Sequence, residues 1–538
     1  MRLLLVGAFA YPHVQGSQVY LQEQAIALRA AGAEVVLLTY GPGRAGRGGE
    51  PDSPARPATT GAGTGALGGD PERRRALEGF ESHAPPGWSV PRSGRSGPRP
   101  GKPFADLALA LALRRVVAAT GRRSAASDRS SDASPFPPEA VPSSPSSQRR
   151  EAPDDASSNA SSISSAPASF LASSTPAERS SRTHDERRNP SHPAFDAILA
   201  HHAEAAWLAL HALTGPRPPI VYCAHTLLEQ ELPEYFKSSR EKTFSIRPAR
   251  DDDPLAGSPS RAGERGSPRA PESAALRAIA AFGRVIDRRI SAQADGWIAL
   301  TQIASRVIGA SSPAPGRRLG PPIPDPQLDP ERPDRDAIAR AYGLEPGGYF
   351  LYTGNLDPYQ DLPLLEQVAS ARRAFAAGER SDQGSPSRSL PIVIATHDAG
   401  AERLADEVAT RGGAGLLVRR ARSAADAVAL LGAARASLVP RRTLGGFPIK
   451  LANSLAVGTP VVALHGEEWG LVDGRDALIG AVDDPVGSIA RALARLEQDP
   501  DLAVRLGAGA RATWQAQHDP ARIAAETLAL IDALRPGR

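Results

Sequence analysis

Hydrophobic positions along this chain fall into short continuous runs separated by stretches of helical period. Leu3 to Val6 is a solid apolar run, the pattern of a strand buried on both faces. From Gln18 to Ala31 apolar residues recur at helical spacing, at Val19, Leu21, Ala25 and Leu28. Ser17 is placed to cap that helix and Gly32 to end it. Ala33 to Tyr40 is a second buried run, Glu34 aside. Buried runs joined by a helix predict parallel pairing. Phe195 to His201, Pro219 to His225 and Gly296 to Leu300 read as further strands, and Ala274 to Ala294 as a helix. Beyond a proline-rich stretch at 313–332 the pattern restarts. Strands are predicted at Tyr349 to Thr353, Pro391 to Thr396, Gly415 to Val418, Ala436 to Val439 and Pro460 to Leu464. Helices fill the gaps, at Ser423 to Ala434 and Gly487 to Glu497, and an amphipathic helix closes the chain at Arg522 to Leu534.

The expected fold class is therefore α/β, with two Rossmann-like domains facing each other across a cleft. The first spans 1–312, the linker 313–332, the second 333–517, and the last helix, 518–538, is expected to return to the first. At 538 residues the chain is long enough for both. Composition changes the picture in three places. Residues 41–85, 121–193 and 237–271 are rich in Ser, Gly, Pro and charge. Such segments bury too little apolar surface to offset their ordering entropy, so they read as disordered insertions. Between the first two, Phe104 to Thr120 reads as a helix that carries Arg114 and Arg115.

Charge and cysteine content narrow the classes. A net charge of +4 over this length does not call for nucleic acid. The single cysteine, Cys223, excludes an intramolecular disulfide and fits a reducing compartment. The apolar run that opens the chain is too short for a leader or a membrane span. A cytoplasmic protein is expected, with contact at the inner face of the membrane.

In open parallel sheets ligands bind beyond the C-terminal strand ends. The first such loop, Gly7 to Ser17, lacks the GxGxxG spacing of a dinucleotide site. Its Gly16, just before a helix, can bring backbone N–H groups to an anion, and its Tyr11 is a candidate for the second substrate. The stretch Gly445-Gly446-Phe447-Pro448-Ile449-Lys450 leads glycines into a helix, whose free N–H groups and dipole suit a diphosphate. His201 and His202 end one strand and His225 another, with Glu229 and Glu231 following. These histidines match no compact zinc spacing, and no metal is expected.

At these residues the chain resembles the retaining glycosyltransferases of family 4, which have the two-Rossmann GT-B fold. The blocks that carry the likeness are Gln15-Gly16-Ser17 through Ala31-Gly32-Ala33-Glu34-Val35, Ala224-His225-Thr226 through Leu232-Pro233, Tyr352-Thr353-Gly354-Asn355-Leu356-Asp357-Pro358-Tyr359-Gln360, and Gly446-Phe447-Pro448-Ile449-Lys450-Leu451 through Pro460-Val461-Val462-Ala463. The resemblance implies transfer of a sugar from a nucleoside-diphosphate sugar to a hydroxyl of a polysaccharide or lipid-linked acceptor, with retention, and no cofactor. It places donor binding at Gly16, Gly354, Asn355, Gln360, Gly446, Phe447, Lys450 and Asn453. Catalytic roles fall to His201, His225 and Glu229, and acceptor binding to Tyr11 and Glu231.

Two departures from the family pattern matter. Its acidic pair in E-x7-E spacing is replaced by Gly445 and Asn453, and its phosphate-binding Arg and Lys by Asn355 and Gln360. Asn453 keeps donor and acceptor atoms for a ribose hydroxyl. Lys450, with Arg441 or Arg442, is expected to supply the missing positive charge, and Glu467 and Glu468 to take over from the lost glutamate at Gly445. A degenerate scaffold of the same fold and a nucleotide-sugar epimerase are the rival readings.

Overall fold

A computed structural model describes residues 1–9, 11, 16–41, 80–85, 102–130, 195–240, 274–329, 332–357, 360–378, 389–411, 413 and 415–535. Within them are two parallel sheets. The first contains β1 (Arg2–Gly7), β2 (Glu34–Leu38), β3 (Glu81–His83), β4 (Ala197–His201), β5 (Ile220–Ala224), β6 (Gly296–Ala299) and β7 (Gly316–Arg318), in the order β3-β2-β1-β4-β5-β6-β7. The second contains β8 (Phe350–Thr353), β9 (Ile392–Thr396), β10 (Leu416–Arg420), β11 (Ala436–Val439), β12 (Val461–Ala463) and β13 (Ala477–Ile479), in the order β10-β9-β8-β11-β12-β13. In each, the chain fills one side of the opening strand and then crosses to the other. The crevice at that reversal, between β1 and β4 and between β8 and β11, is where open α/β sheets hold ligands.

The continuous apolar runs form these strands because both faces are covered. Strand alternation in β1 sends Leu3 and Leu5 to one core and Leu4 and Val6 to another. In β8, Phe350 and Tyr352 join one core while Leu351 joins the opposite one. Helices Gly16–Ala30 and Pro520–Ala533 share a face of the first sheet, where Tyr20, Leu21 and Leu28 meet Ile523, Leu530 and Ile531. Pro520 sits in the first turn and Asp519 accepts from Ala521 N, so this helix starts sharply. Arg535 fixes its far end to Asp196 at 2.5 Å.

Several boundaries differ from the sequence reading. The segment assigned to an insertion at 41–85 contains β3, which pairs with β2 from Val36↔Glu81 to Leu38↔His83. The stretch assigned wholly to a linker, 313–332, opens with β7, paired to β6. Both are short polar edge strands, Glu-Ser-His and Gly-Arg-Arg, with no apolar alternation to reveal them. The helix read at 104–120 spans Lys102–Ser130, and Leu228–Arg240 runs into the third insertion. The first helix begins at Gly16, so Ser17 lies in its first turn instead of capping it. The rest of the insertions, residues 42–79, 131–193 and 241–271, lies outside the described residues.

Candidate functional site

At the crevice of the first sheet, Gly7 of β1 lies opposite His201 of β4, which in turn lies opposite Cys223 of β5. The chain turns at once into a helix, His202–Ala212, and His202 takes φ 76°, a left-handed value uncommon for a residue with a Cβ. That turn directs two successive histidines into one cluster with His225, which follows β5. His201 Nδ1 lies 3.1 Å from His225 Nε2. Tyr20 from the first helix covers both, with ring centroids at 5.2 Å and 4.7 Å. His201 Nε2 and His225 Nδ1 have no hydrogen-bond partner among the described residues. Burial holds His201 down to about 3, and burial, then His201 and His202, holds His225 well below the ordinary histidine value. The pair is therefore neutral at physiological pH. Whichever ring nitrogen carries the shared proton, the pair keeps one free donor and one free acceptor, the complement of a hydroxyl.

His202 has the opposite character. Its Nε2 meets Glu231 Oε2 at 2.9 Å, and Glu204 lies 3.7 Å from Nδ1. Burial opposes its charge, but Glu231 and then Glu204 prevail and push it up to about 9. Glu231 also accepts from Tyr235 Oη at 2.7 Å, and Glu204 pairs with Lys102 at 2.8 Å. The structure thus brings Glu231 into the histidine cluster and leaves Glu229 outside it, paired with Arg284. Asp287 accepts from the N–H groups of Leu228 and Glu229 at 3.1 and 3.0 Å, satisfying the start of the Leu228–Arg240 helix. Tyr11 packs on the edge of the first core, and its N–H donates to Gly41 O at 3.0 Å.

At the crevice of the second sheet, β8 is followed by Gly354 with φ 143°, where a Cβ would sit 2.8 Å from Lys450 Nζ. Only glycine lets the lysine approach the strand end so closely. Lys450 Nζ lies 3.8 Å above the Tyr352 ring, a cation–π contact, and donates to Gln360 Oε1 at 2.8 Å. Arg441 Nε donates to the same oxygen at 3.3 Å, and its NH1 to Gly445 O at 2.9 Å. The Gln360 amide nitrogen donates to Asn355 Oδ1 at 2.9 Å, and Asn355 Nδ2 donates to Asp357. Burial, then Arg441, holds Lys450 well below the ordinary lysine range, with Asp357 pulling the other way. Of the two arginines considered as replacement cations, Arg441 joins Lys450, while Arg442 pairs with Asp361 at 2.7 Å.

Gly446, at φ 55°, turns the chain into the Ile449–Val457 helix. Pro448 starts that helix and no side chain caps it, so its first N–H groups stay available to an anion. Asn453 is half-buried on the same helix. The two lobes meet around this start. A Cβ at Gly446 would lie 3.5 Å from His225 O, and one at Gly16 would lie 3.5 Å from Ile449. Phe447 packs against His518, ring centroids 5.1 Å apart. Glu467 and Glu468, read as substitutes for a sugar-binding glutamate, are engaged elsewhere. Glu468 accepts from Ile303 N at 2.8 Å, and Glu467 pairs with Arg306 at 2.9 Å. The 3-10 turn Glu467–Trp469 projects them at the start of the Gln302–Ser311 helix, where carboxylates are favoured.

The sequence missed the His202–Glu231 pair and the role of Tyr352 beneath Lys450. The second was signalled by strand period, since Tyr352 lies two residues before Gly354. Among the described residues, no group of three or more His, Cys, Asp or Glu is placed to hold a metal ion, and no helix is long and apolar enough to cross a membrane.

No family model and no curated relative matches the chain. Solved structures do. Sucrose-phosphate synthase from Thermosynechococcus elongatus superposes with a TM-score of 0.56 at 15% identity, over 99% of this chain and 98% of that one. HepE from Anabaena, in complex with UDP, gives a TM-score of 0.53 at 12% identity, over 99% and 100%. A glycosyltransferase from Rickettsia africae gives 0.50 at 9%, over 100% and 99%. The class that the two sheets and their facing crevices define is the GT-B fold, the fold of these glycosyltransferases. At these identities the likeness establishes the fold.

Proposed function

We propose that the chain is a glycosyltransferase that moves a sugar from a nucleoside-diphosphate sugar to a hydroxyl of a glycan or lipid-linked acceptor, with retention. The observation that carries this reading is the convergence of Lys450 and Arg441 on one point beside the uncapped start of the Ile449–Val457 helix. Backbone donors and two cations together suit a diphosphate. HepE has been solved with UDP and with UDP-glucose, which supports a donor of this class.

In the proposed reaction the bond between the sugar's anomeric carbon and the β-phosphate oxygen breaks. A bond from that carbon to the acceptor oxygen forms on the same face, and the acceptor's proton leaves with the diphosphate. Lys450, Arg441, Gly446 and the amides of the helix start stabilise the charge that grows on the leaving group. Gly16 and Gly354 let backbone and lysine approach it, Asn355, Gln360 and Phe447 shape its pocket, and Asn453 binds the ribose. The His201–His225 pair hydrogen-bonds sugar hydroxyls, while Glu231, held by His202, orients the acceptor together with Tyr11. We assign Glu229 a supporting role through Arg284, and no cofactor or metal is required. Nucleic acid is no partner in this scheme. The cytoplasmic enzyme would meet lipid-linked acceptors through the Lys102–Ser130 helix, which exposes Phe104, Leu107 and Leu111 in one stripe.

Thermal shift with UDP-, GDP- and ADP-sugars tests the reading. A shift with one of them, accompanied by slow donor hydrolysis, is expected. A chain that responds to none is a scaffold, and one that isomerises the free donor is an epimerase.

A further inference from the structure

We propose that Gln360 is an internal surrogate for a phosphate oxygen, holding the two cations of the donor site in place until a diphosphate displaces it. The inference rests on the donor-site reading and goes beyond it, because it gives Gln360 a competing role instead of a binding one.

The geometry is specific. Gln360 is 3% exposed and Arg441 8% exposed. Lys450 Nζ reaches Gln360 Oε1 from a helix and Arg441 Nε reaches the same atom from the loop after β11, at 2.8 and 3.3 Å. One oxygen receiving two cationic donors from different elements is the arrangement of a bound anion, yet this oxygen belongs to a neutral amide. Charge-assisted hydrogen bonds to an ionised oxygen are roughly twice as strong as those to a neutral one. A diphosphate therefore outcompetes the amide for the same two donors. The exchange has a mechanical side. The other end of the amide holds Asn355 Oδ1, and Asn355 O accepts from Tyr352 Oη at 2.7 Å beneath Lys450. Displacing Gln360 breaks its tie to Asn355, next to Asp361 at φ 54° where the Leu362–Gly378 helix begins.

The test uses the full-length protein with UDP as probe, read by calorimetry and thermal shift. Gln360→Glu puts a permanent carboxylate between the cations. The protein alone should melt higher, and its UDP affinity should fall about tenfold or more. Gln360→Ala removes the competitor. The protein alone should melt lower, while UDP affinity rises roughly threefold, because the ligand now supplies the missing acceptor. Weakening of UDP by both variants makes Gln360 an ordinary binding residue and overturns the proposal. So does an unchanged affinity in both, in a protein whose Lys450→Ala variant loses UDP. If Lys450→Ala binds UDP as well as the parent, or the parent binds none of UDP, GDP and ADP, the donor-site reading falls and this inference with it.

Discussion

The two crevices are built from similar strand ends but settle their charges differently. In the first lobe charge is matched in place: His202 meets Glu231, and Lys102 meets Glu204. In the second, Lys450 and Arg441 share an oxygen that carries no formal charge. A matched site is stable by itself and positions neutral hydroxyls. A site with cations gathered on a neutral acceptor is built to gain from an incoming anion. The contrast is what favours the proposed roles of the two edges, a sugar acceptor at one and a diphosphate at the other.

The largest effect expected from breaking this asymmetry is in the second lobe. Replacing Lys450 and Arg441 together by Ala should weaken UDP binding a hundredfold or more, since each buried charged contact is worth about 2–5 kcal/mol. Calorimetry would show it, and an unchanged affinity would place the diphosphate elsewhere. Next comes the first lobe. Glu231→Ala leaves His202 without its main partner and should cost about 3–5 kcal/mol of stability in chemical denaturation. UDP binding should be spared, which separates the two edges.

A third test concerns protons. Lys450 is held below its usual range by burial, then by Arg441, against the pull of Asp357. A bound diphosphate favours the charged lysine, so affinity should weaken as pH rises through the range in which the free lysine loses its proton. Calorimetry across a pH series measures this, and an affinity flat with pH would place the diphosphate away from Lys450. The matched pair has its own signature. His202 is raised to about 9, so its stabilisation is complete below the ordinary histidine value and is lost as pH climbs through about 9. Glu231→Ala should remove that alkaline loss from a plot of Tm against pH. The smallest effect is expected at the rim, where Glu467 and Arg306 are both exposed. Glu467→Ala should move Tm by no more than about 1 °C.

Sequence pattern exposed the parts of the molecule whose physics is local. Leu3 to Val6 and Tyr349 to Tyr352 are apolar or aromatic throughout because their sheets are covered on both sides, and that is visible in any short window. The Gly446-to-Lys450 turn was equally legible, since strand, glycine and helix start follow one another directly. Edge strands β3 and β7 were not, because one-sided pairing imposes no apolar period. Neither was the choice between Glu229 and Glu231, or between Arg441 and Arg442. Residues one or two positions apart point in widely different directions, and only the packing of distant elements decides which one faces the crevice. His202 and Glu231 are 29 positions apart in the numbering and come from different elements, so no local spacing could join them.

One feature of the path between lobes bears on how they move. The chain crosses twice, once at Leu319–Asp325 and again near His518, and the crossings are stitched together. Ile323 N donates to His518 O at 3.0 Å, Trp514 Nε1 to Ile323 O at 3.0 Å, and His518 Nδ1 lies 3.0 Å from Pro321 O. Two adjacent cords tied together in this way leave one narrow joint between the lobes, the place where a hinge motion would be absorbed. Because Phe447 rests on His518, this joint lies in direct touch with the turn that leads from Gly446 into the Ile449–Val457 helix.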